Sequence, residues 1–580
     1  MIRLAFALLL LAGPALAASR PALEAEGGMV VSSQSLASEA GAEILRAGGN
    51  AIDAAIAVGY ALAVVNPCCG NIGGGGFLTA RLADGREVFL DFRETAPAAS
   101  TRDMYLDAAG NPVPGLSLVG WKAVGVPGTV AGMEAAREKW GSLPRAALMA
   151  PAIRLARDGF VLVRGDTDIL DSRTAAFRRH PNIAAIFLRP DGTPLRPGDR
   201  LTQLGLARTL EAIAAEGAPA FYTGRVAAAL EAASKAGGGI ITAADLAAYR
   251  VRELPPARCS YRGYDVTSAP PPSSGGTTIC QILNILEGYD LRAMGFGSAR
   301  AIHLTAEAMR HAFLDRNTHL GDPDFVRNPL DRLLSKDYAA AIRARIAPDR
   351  ITPSRELPPG TPPHEKPETT HYSVADRAGN AVAVTYTING SFGAQVMAGD
   401  TGFFLNDEMD DFTIKPGVPN LFGLVQGVAN EIAPGKRPLS SMAPTLVARD
   451  GRVFLVAGSP GGSRIISITL QVILNVIDFG MEPQEAVNAP RYHHQWLPDE
   501  LFVEARGFSP DTLALLRGYG HTIREQTPWG AAEVIAIGPA RPATTTAGAP
   551  ADAALSGRMR PGLFYGAHDD RRPAGAAVAP

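Results

Sequence analysis

The chain runs to 580 residues, 46% hydrophobic and 19% charged with a formal net charge of −2, an ordinary globular balance with length enough for a large buried core. It contains no block of lysine or arginine, so the electrostatic footprint required for nucleic-acid binding is missing. Past the first residues, no apolar run reaches the ~20 residues that a bilayer span needs.

The first element is a leader. Residues 1–17 combine Arg3, an apolar run from Leu4 to Ala12 and the small-residue cleavage signature Ala15-Leu16-Ala17, which reads as a secretory signal peptide. The mature chain is therefore expected to start near Ala18 in an oxidising periplasmic or extracellular compartment. Cys259 and Cys280 flank a Pro/Ser/Gly loop that can close on itself, whereas a bond between the neighbours Cys68 and Cys69 is sterically demanding. Pairing stays open at this stage. Neither CxxC nor HExxH spacing occurs, so no metal site and no cofactor are expected.

Leu36–Leu45 and Ala51–Val64 carry apolar residues at spacings of three and four around the stop signal Ala47-Gly48-Gly49-Asn50, predicting two packed helices. The run Gly73–Gly76 lacks the GK[ST] of a phosphate loop and predicts close approach of backbone to a ligand or to another strand. The strand Val88–Phe92 ends at Arg93-Glu94. An arginine there is either an ordinary surface residue or a bidentate clamp for a carboxylate. Residues 125–345 show a mainly helical pattern with Pro- and Gly-rich joints at Pro190–Gly198 and Pro270–Gly276, and read as scaffold. His303 and His311 fall among apolar residues and are expected to be packed or hydrogen-bonded.

The stretch RELPPGTPPHEKPE, residues 355–368, carries five prolines and predicts an exposed, extended connector. It runs directly into Thr369-Thr370 and a β-branched, aromatic hairpin around the turn Asp376–Asn380. A threonine pair opening a strand is commonly a matter of β-propensity, but a flexible connector entering a buried strand also suits a processing point with Thr369 as the new N-terminus. Four clusters follow: Asn389-Gly390-Ser391, Glu408–Asp411, Pro438–Met442 and Ser459–Ser463. The last joins a strand to the apolar helix Ile465–Ile477. Such a Gly-Gly turn either packs the joint or leaves N–H groups free to hold an oxyanion. The match of Asn389-Gly390-Ser391 to the N-glycosylation pattern is taken as chance.

Together, TTHYSVADRAGNAVAVTYT, NDEMDDF, PGVPN, KRPLSSMAPT, GSPGGSR and NAPRYHHQWLPDEL, with GGGGF and LDFRETAP upstream, resemble the gamma-glutamyltransferase family over nearly the whole mature chain. The resemblance implies an α+β fold, the four-layer αββα sandwich of the N-terminal nucleophile hydrolases. It also implies self-cleavage between Glu368 and Thr369 into a large subunit, 18–368, and a small one, 369–580, paired as a heterodimer. Thr369 would then attack glutathione or a related γ-glutamyl compound, assisted by Thr387, with Gly461 and Gly462 binding the oxyanion. Arg93, Ser440 and Ser441 would hold the α-carboxylate, and Asn389, Glu408 and Asp411 the α-ammonium. Water, an amino acid or a short peptide would accept the glutamyl group.

Several positions depart from that pattern. Cys68-Cys69 interrupts the glycine string, Phe422 stands for the expected tyrosine in the lid segment Pro416–Asn430, and residues 539–562 form a low-complexity insertion expected to be mobile. The final PAGAAVAP is expected to be disordered, and His493-His494 structural. Two alternatives stand beside the main reading: a cephalosporin-acylase-like amidase, and an exported binding protein that is never cleaved.

Overall fold

A computed structural model describes residues 19–354, 369–539 and 559–580. The leader, Glu368 with the rest of the proline-rich connector, and residues 540–558 of the expected insertion lie outside the described residues.

Two seven-stranded sheets form the middle of the molecule. The first runs in the order Ala576–Val578, Gly28–Ser32, Thr370–Asp376, Ala381–Thr387, Gly75–Arg81, Glu87–Phe92, Arg252–Glu253. The second runs Leu23–Ala25, Phe564–His568, Glu533–Ile537, Arg452–Ala457, Thr445–Arg449, Tyr264–Ser268, Ala257–Tyr261. Strand alternation sorts the side chains by layer. Val30, Tyr372, Val374, Val382 and Val384 face one helical layer, while their neighbours Met29, Val31, Ala375, Ala381 and Ala383 meet Leu446, Val456 and Ile535 of the other sheet. Helices cover both outer faces. Ala51–Val65 is buried at every position, which explains a sequence apolar all round, and its start is fixed by reciprocal bonds between Asn50 and Asp53. Gly275–Leu286, Ala299–His319 and Arg464–Ile477 pack on the second sheet. The result is the predicted helix–sheet–sheet–helix sandwich.

The hairpin falls where the sequence put it. Ala375 faces Ala381, and the Asp376 carboxylate accepts from the Ala378 and Asn380 N–H groups at 2.9 and 3.0 Å. The glycine run does bring strands together: a Cβ on Gly74 would meet the Thr387 carbonyl at 2.0 Å, and one on Gly75 would meet the Glu94 carboxylate at 2.7 Å.

Two expectations are corrected. Strands Ala257–Tyr261 and Tyr264–Ser268 lie within the stretch read as helical scaffold, because a short alternating hairpin is swamped there by neighbouring alanine-rich helices. The terminal PAGAAVAP contains the strand Ala576–Val578, whose backbone pairs with Gly28–Ser32; small side chains suffice where the partner sheet supplies the order. At the two ends of the expected insertion, the Gly562 N–H donates to the Pro539 carbonyl at 2.9 Å and Met559 is buried. Both cysteine pairs, Cys68–Cys69 and Cys259–Cys280, are bonded.

Candidate active site

Thr369 directly precedes the strand Thr370–Asp376 and is 5% exposed. Its Oγ lies 3.3 Å from the Thr387 Oγ at the end of the paired strand, and either hydroxyl can donate. Thr387 Oγ also accepts the Asn389 N–H at 2.8 Å, which turns the chain sharply: Asn389 has φ of 72°, a left-handed conformation that asparagine tolerates better than most residues. Asn389 is buried and donates to the Asp407 carbonyl at 3.1 Å, so the sequon is not an exposed loop.

A cavity of about 300 Å³ brings together Thr369, Thr387, Asn389, Arg93, Glu408, Asp411, Ser440, Ser441 and Gly462. Gly461 is not among its lining residues but immediately precedes Gly462 at the start of the helix Arg464–Ile477. Gly461 and Gly462 have φ of 145° and 55°, conformations open to glycine, and among the described residues neither N–H donates to a protein acceptor. These donors are thus available for a developing negative charge.

One wall is ionic. The Arg93 guanidinium is fully buried and paired with Glu408 and Asp411, with Glu94 at 3.5 Å. Burial opposes the Arg93 charge, but Glu408, Asp411 and Glu94 outweigh it and hold its pKa above the ordinary value. The carboxyls respond in the opposite sense: burial pushes Glu94 up to about 7 and raises Glu408 and Asp411 despite Arg93. Asn406 orders this wall, accepting from the Glu408 N–H at 3.1 Å while donating to the Gly73 and Gly125 carbonyls at 2.9 Å.

The other wall is polar and holds a residue that sequence reasoning passed over. Arg316, on the helix Ala299–His319, lines the same cavity and donates to Ser441 Oγ at 3.0 Å, Ser274 Oγ at 2.9 Å and Gln426 Oε1 at 3.1 Å. Burial lowers its pKa to about 10, so it stays charged at neutral pH. It falls within residues 125–345, which the sequence reads as scaffold. The joint Pro270–Gly276 also serves the site: the Ser440 N–H donates to the Pro272 carbonyl, and Ser274 N–H and Oγ donate to the Ser440 carbonyl. The Cys259–Cys280 bond ties the helix after that joint to the second sheet.

The segment Pro416–Asn430 borders this cavity. Phe422 and Leu424 line it, and the Phe422 carbonyl accepts from Gln495 Nε2 at 3.1 Å. His493 and His494 are structural, bonded to Ser467 and Asp499, and His303 is bonded to His521.

Comparison with known proteins agrees with this geometry. Residues 37–577 match the model of the gamma-glutamyltranspeptidase family. A glutathione hydrolase proenzyme of Pseudomonas sp. strain A14 is 57% identical over 563 residues, covering 97% of this chain and 96% of its own. The glutathione hydrolase proenzyme of Escherichia coli strain K12 is 51% identical over 519 residues, covering 89% of each. Among solved structures, a cephalosporin acylase from Bacillus halodurans superposes with a TM-score of 0.82 at 28% identity, covering 98% of each chain. Its sequence, its four-layer architecture and these likenesses agree: the chain belongs to the gamma-glutamyltranspeptidase family.

Proposed function

We propose that the chain is an exported, self-processing γ-glutamyltransferase and glutathione hydrolase in which Thr369 is both the maturation point and the nucleophile. The observation that carries this is the position of Thr369 on a cavity with Thr387 at hydroxyl distance and opposed ionic and polar walls. In maturation Thr369 Oγ attacks the Glu368 carbonyl, the C–N bond breaks, and water cleaves the resulting ester, leaving subunits 18–368 and 369–580. The freed α-amino group, with a reference pKa of ~8, then takes the proton of its own hydroxyl.

In turnover the same oxygen attacks the γ-amide carbonyl of glutathione or a related donor. Gly461 and Gly462 N–H groups hold the oxyanion, the C–N bond breaks, and cysteinylglycine leaves with the proton. Water or an amino acid or short peptide resolves the ester. Ser440 and Ser441, with Arg93 and the additional cation Arg316, receive the α-carboxylate, while Asn389, Glu408 and Asp411 receive the α-ammonium.

The acylase likeness favours one second reading, an amidase for acyl groups lacking the α-ammonium. N-terminal sequencing of the purified protein, followed by parallel assays of γ-glutamyl and glutaryl anilides, separates the readings. The expected result is a new terminus at Thr369 with release from the γ-glutamyl substrate. A single uncleaved chain without release would sink the enzyme reading, and preference for the glutaryl substrate would favour the acylase.

A further inference from the structure

A second crevice, of about 580 Å³ counted out to solvent, meets the charged cavity at Thr369. Among the described residues Thr369 alone lines both, and the turn before the helix Arg464–Ile477 is divided between them: Pro460 lines the crevice and Gly462 the charged cavity. The crevice is of opposite character. Val65, Phe160, Leu162, Leu170, Leu201 and Phe392 contribute to its lining, and among the described residues its charged lining consists of Asp166 and Arg572. Asp166 is engaged in capping its own helix, accepting the Val163 N–H at 2.9 Å.

The Cys68–Cys69 pair, which the reaction chemistry leaves without a task, forms part of this wall. Being bonded, it offers sulfur surface with neither charge nor a thiol donor. The loop that carries it is fastened next to the nucleophile: Asn66 Nδ2 donates to Ser33 Oγ at 3.3 Å, and Ser33 Oγ lies 2.8 Å from Thr370 Oγ.

We propose that this crevice seats the group leaving Thr369 and the amine that replaces it, and that it selects acceptors with apolar, aromatic or sulfur-bearing side chains. The proposal rests on the γ-glutamyl reading of the charged cavity. With the glutamyl chain held there and its carbonyl carbon at Thr369 Oγ, the remainder of the amide has to extend past Thr369, and the crevice begins at that residue. An acceptor bound in it attacks the ester carbon through its amine nitrogen. The C–O bond to Thr369 breaks, the acceptor's proton returns to Oγ through the Thr369 α-amino group, and a γ-glutamyl amide is released. Apolar side chains gain from burial against the wall, whereas glycine-based acceptors do not.

The test is partition. With one γ-glutamyl anilide as donor, transfer and hydrolysis products come from the same ester, so their ratio reads only the second step. The expected ratio per unit acceptor concentration is about fivefold or more higher for phenylalanine or methionine than for glycylglycine. Ile169 and Ala574 line the crevice and are only partly buried, so I169D and A574F change it without opening the core. Both are expected to reduce the phenylalanine ratio about fivefold and the glycylglycine ratio less than twofold, with appearance of the two subunits reporting that each variant folded. Equal ratios for apolar and glycine acceptors in the parent, or a selectivity unmoved in both variants, overturns this proposal alone. Loss of all ester turnover in the parent overturns the transferase reading and this proposal with it.

Discussion

Arg93 and Arg316 are both buried guanidinium groups on one cavity, and their surroundings are opposite. Arg93 is enclosed by Glu94, Glu408 and Asp411, whereas Arg316 meets Ser274, Asn317, Gln426 and Ser441, all uncharged. A cation surrounded by carboxylates spends its field on them; one held by neutral donors and acceptors projects its field outward. The pair therefore divides the labour. The Arg93 wall fixes the positions of its three carboxyl groups, and under the proposed function Arg316 is expected to supply more of the positive potential for the donor carboxylate than Arg93 does.

The largest effect tests what both walls serve. Thr369→Ala is expected to stay a single chain with no γ-glutamyl anilide turnover; denaturing electrophoresis reads the first and absorbance the second, and normal processing of the variant would place the cleavage elsewhere. Replacing the arginines separates the walls. Arg93→Met leaves three buried carboxyls without their cation and is expected to cost about 3–5 kcal/mol of stability, read by denaturant unfolding. Arg316→Met is expected to raise KM for the γ-glutamyl donor about 10- to 100-fold with kcat within about threefold and processing intact, and Arg316→Lys to recover part of the loss. Equal stability losses for both would erase the distinction.

Proton uptake gives a smaller effect. Burial holds the Glu94 carboxyl at about 7 against the attraction of Arg93, so it is neutral below that pH and gains charge above it. Donor KM is expected to fall a few-fold as pH rises through about 7, and Glu94→Gln to flatten that change. The folded chain also retains a proton here that the unfolded chain has lost, so Glu94 makes stability decline as pH rises from 4.5 to about 7; a series of melting curves with and without Glu94→Gln checks the sign. The smallest effect on catalysis is expected from Cys280→Ser. Opening a bond between residues 21 apart removes about 3 kcal/mol of stability while shifting KM no more than about twofold, because Ser440 keeps its bonds to the Pro270–Gly276 joint.

The legibility of the chain in sequence followed how local each signal is. The hairpin from Thr370, the helices Ser35–Arg46 and Ala51–Val65 and the Gly461-Gly462 turn carry their period and their punctuation within a few residues, and each was found. The four layers followed from the family resemblance rather than from any one segment. Arg316 escaped notice because nothing in its own helix distinguishes it; its role arises from Ser441 and Gln426, more than a hundred residues away. The strand Ala576–Val578 was missed for a similar reason, since its order comes from its partner at Gly28–Ser32. The bonding of Cys68 to Cys69 is not decided by the sequence, because the spacing of two neighbours alone gives no answer.

The strand order of the two sheets has a last consequence for a backbone cut before Thr369. Strands from before and after that point alternate: Ala576–Val578 beside Gly28–Ser32 beside Thr370–Asp376 in one sheet, Leu23–Ala25 beside Phe564–His568 in the other. Neither product would own a complete sheet, so separating them means unfolding both. The matured protein should consequently behave toward dilution as one molecule, with an activity per molecule that does not fall as concentration drops.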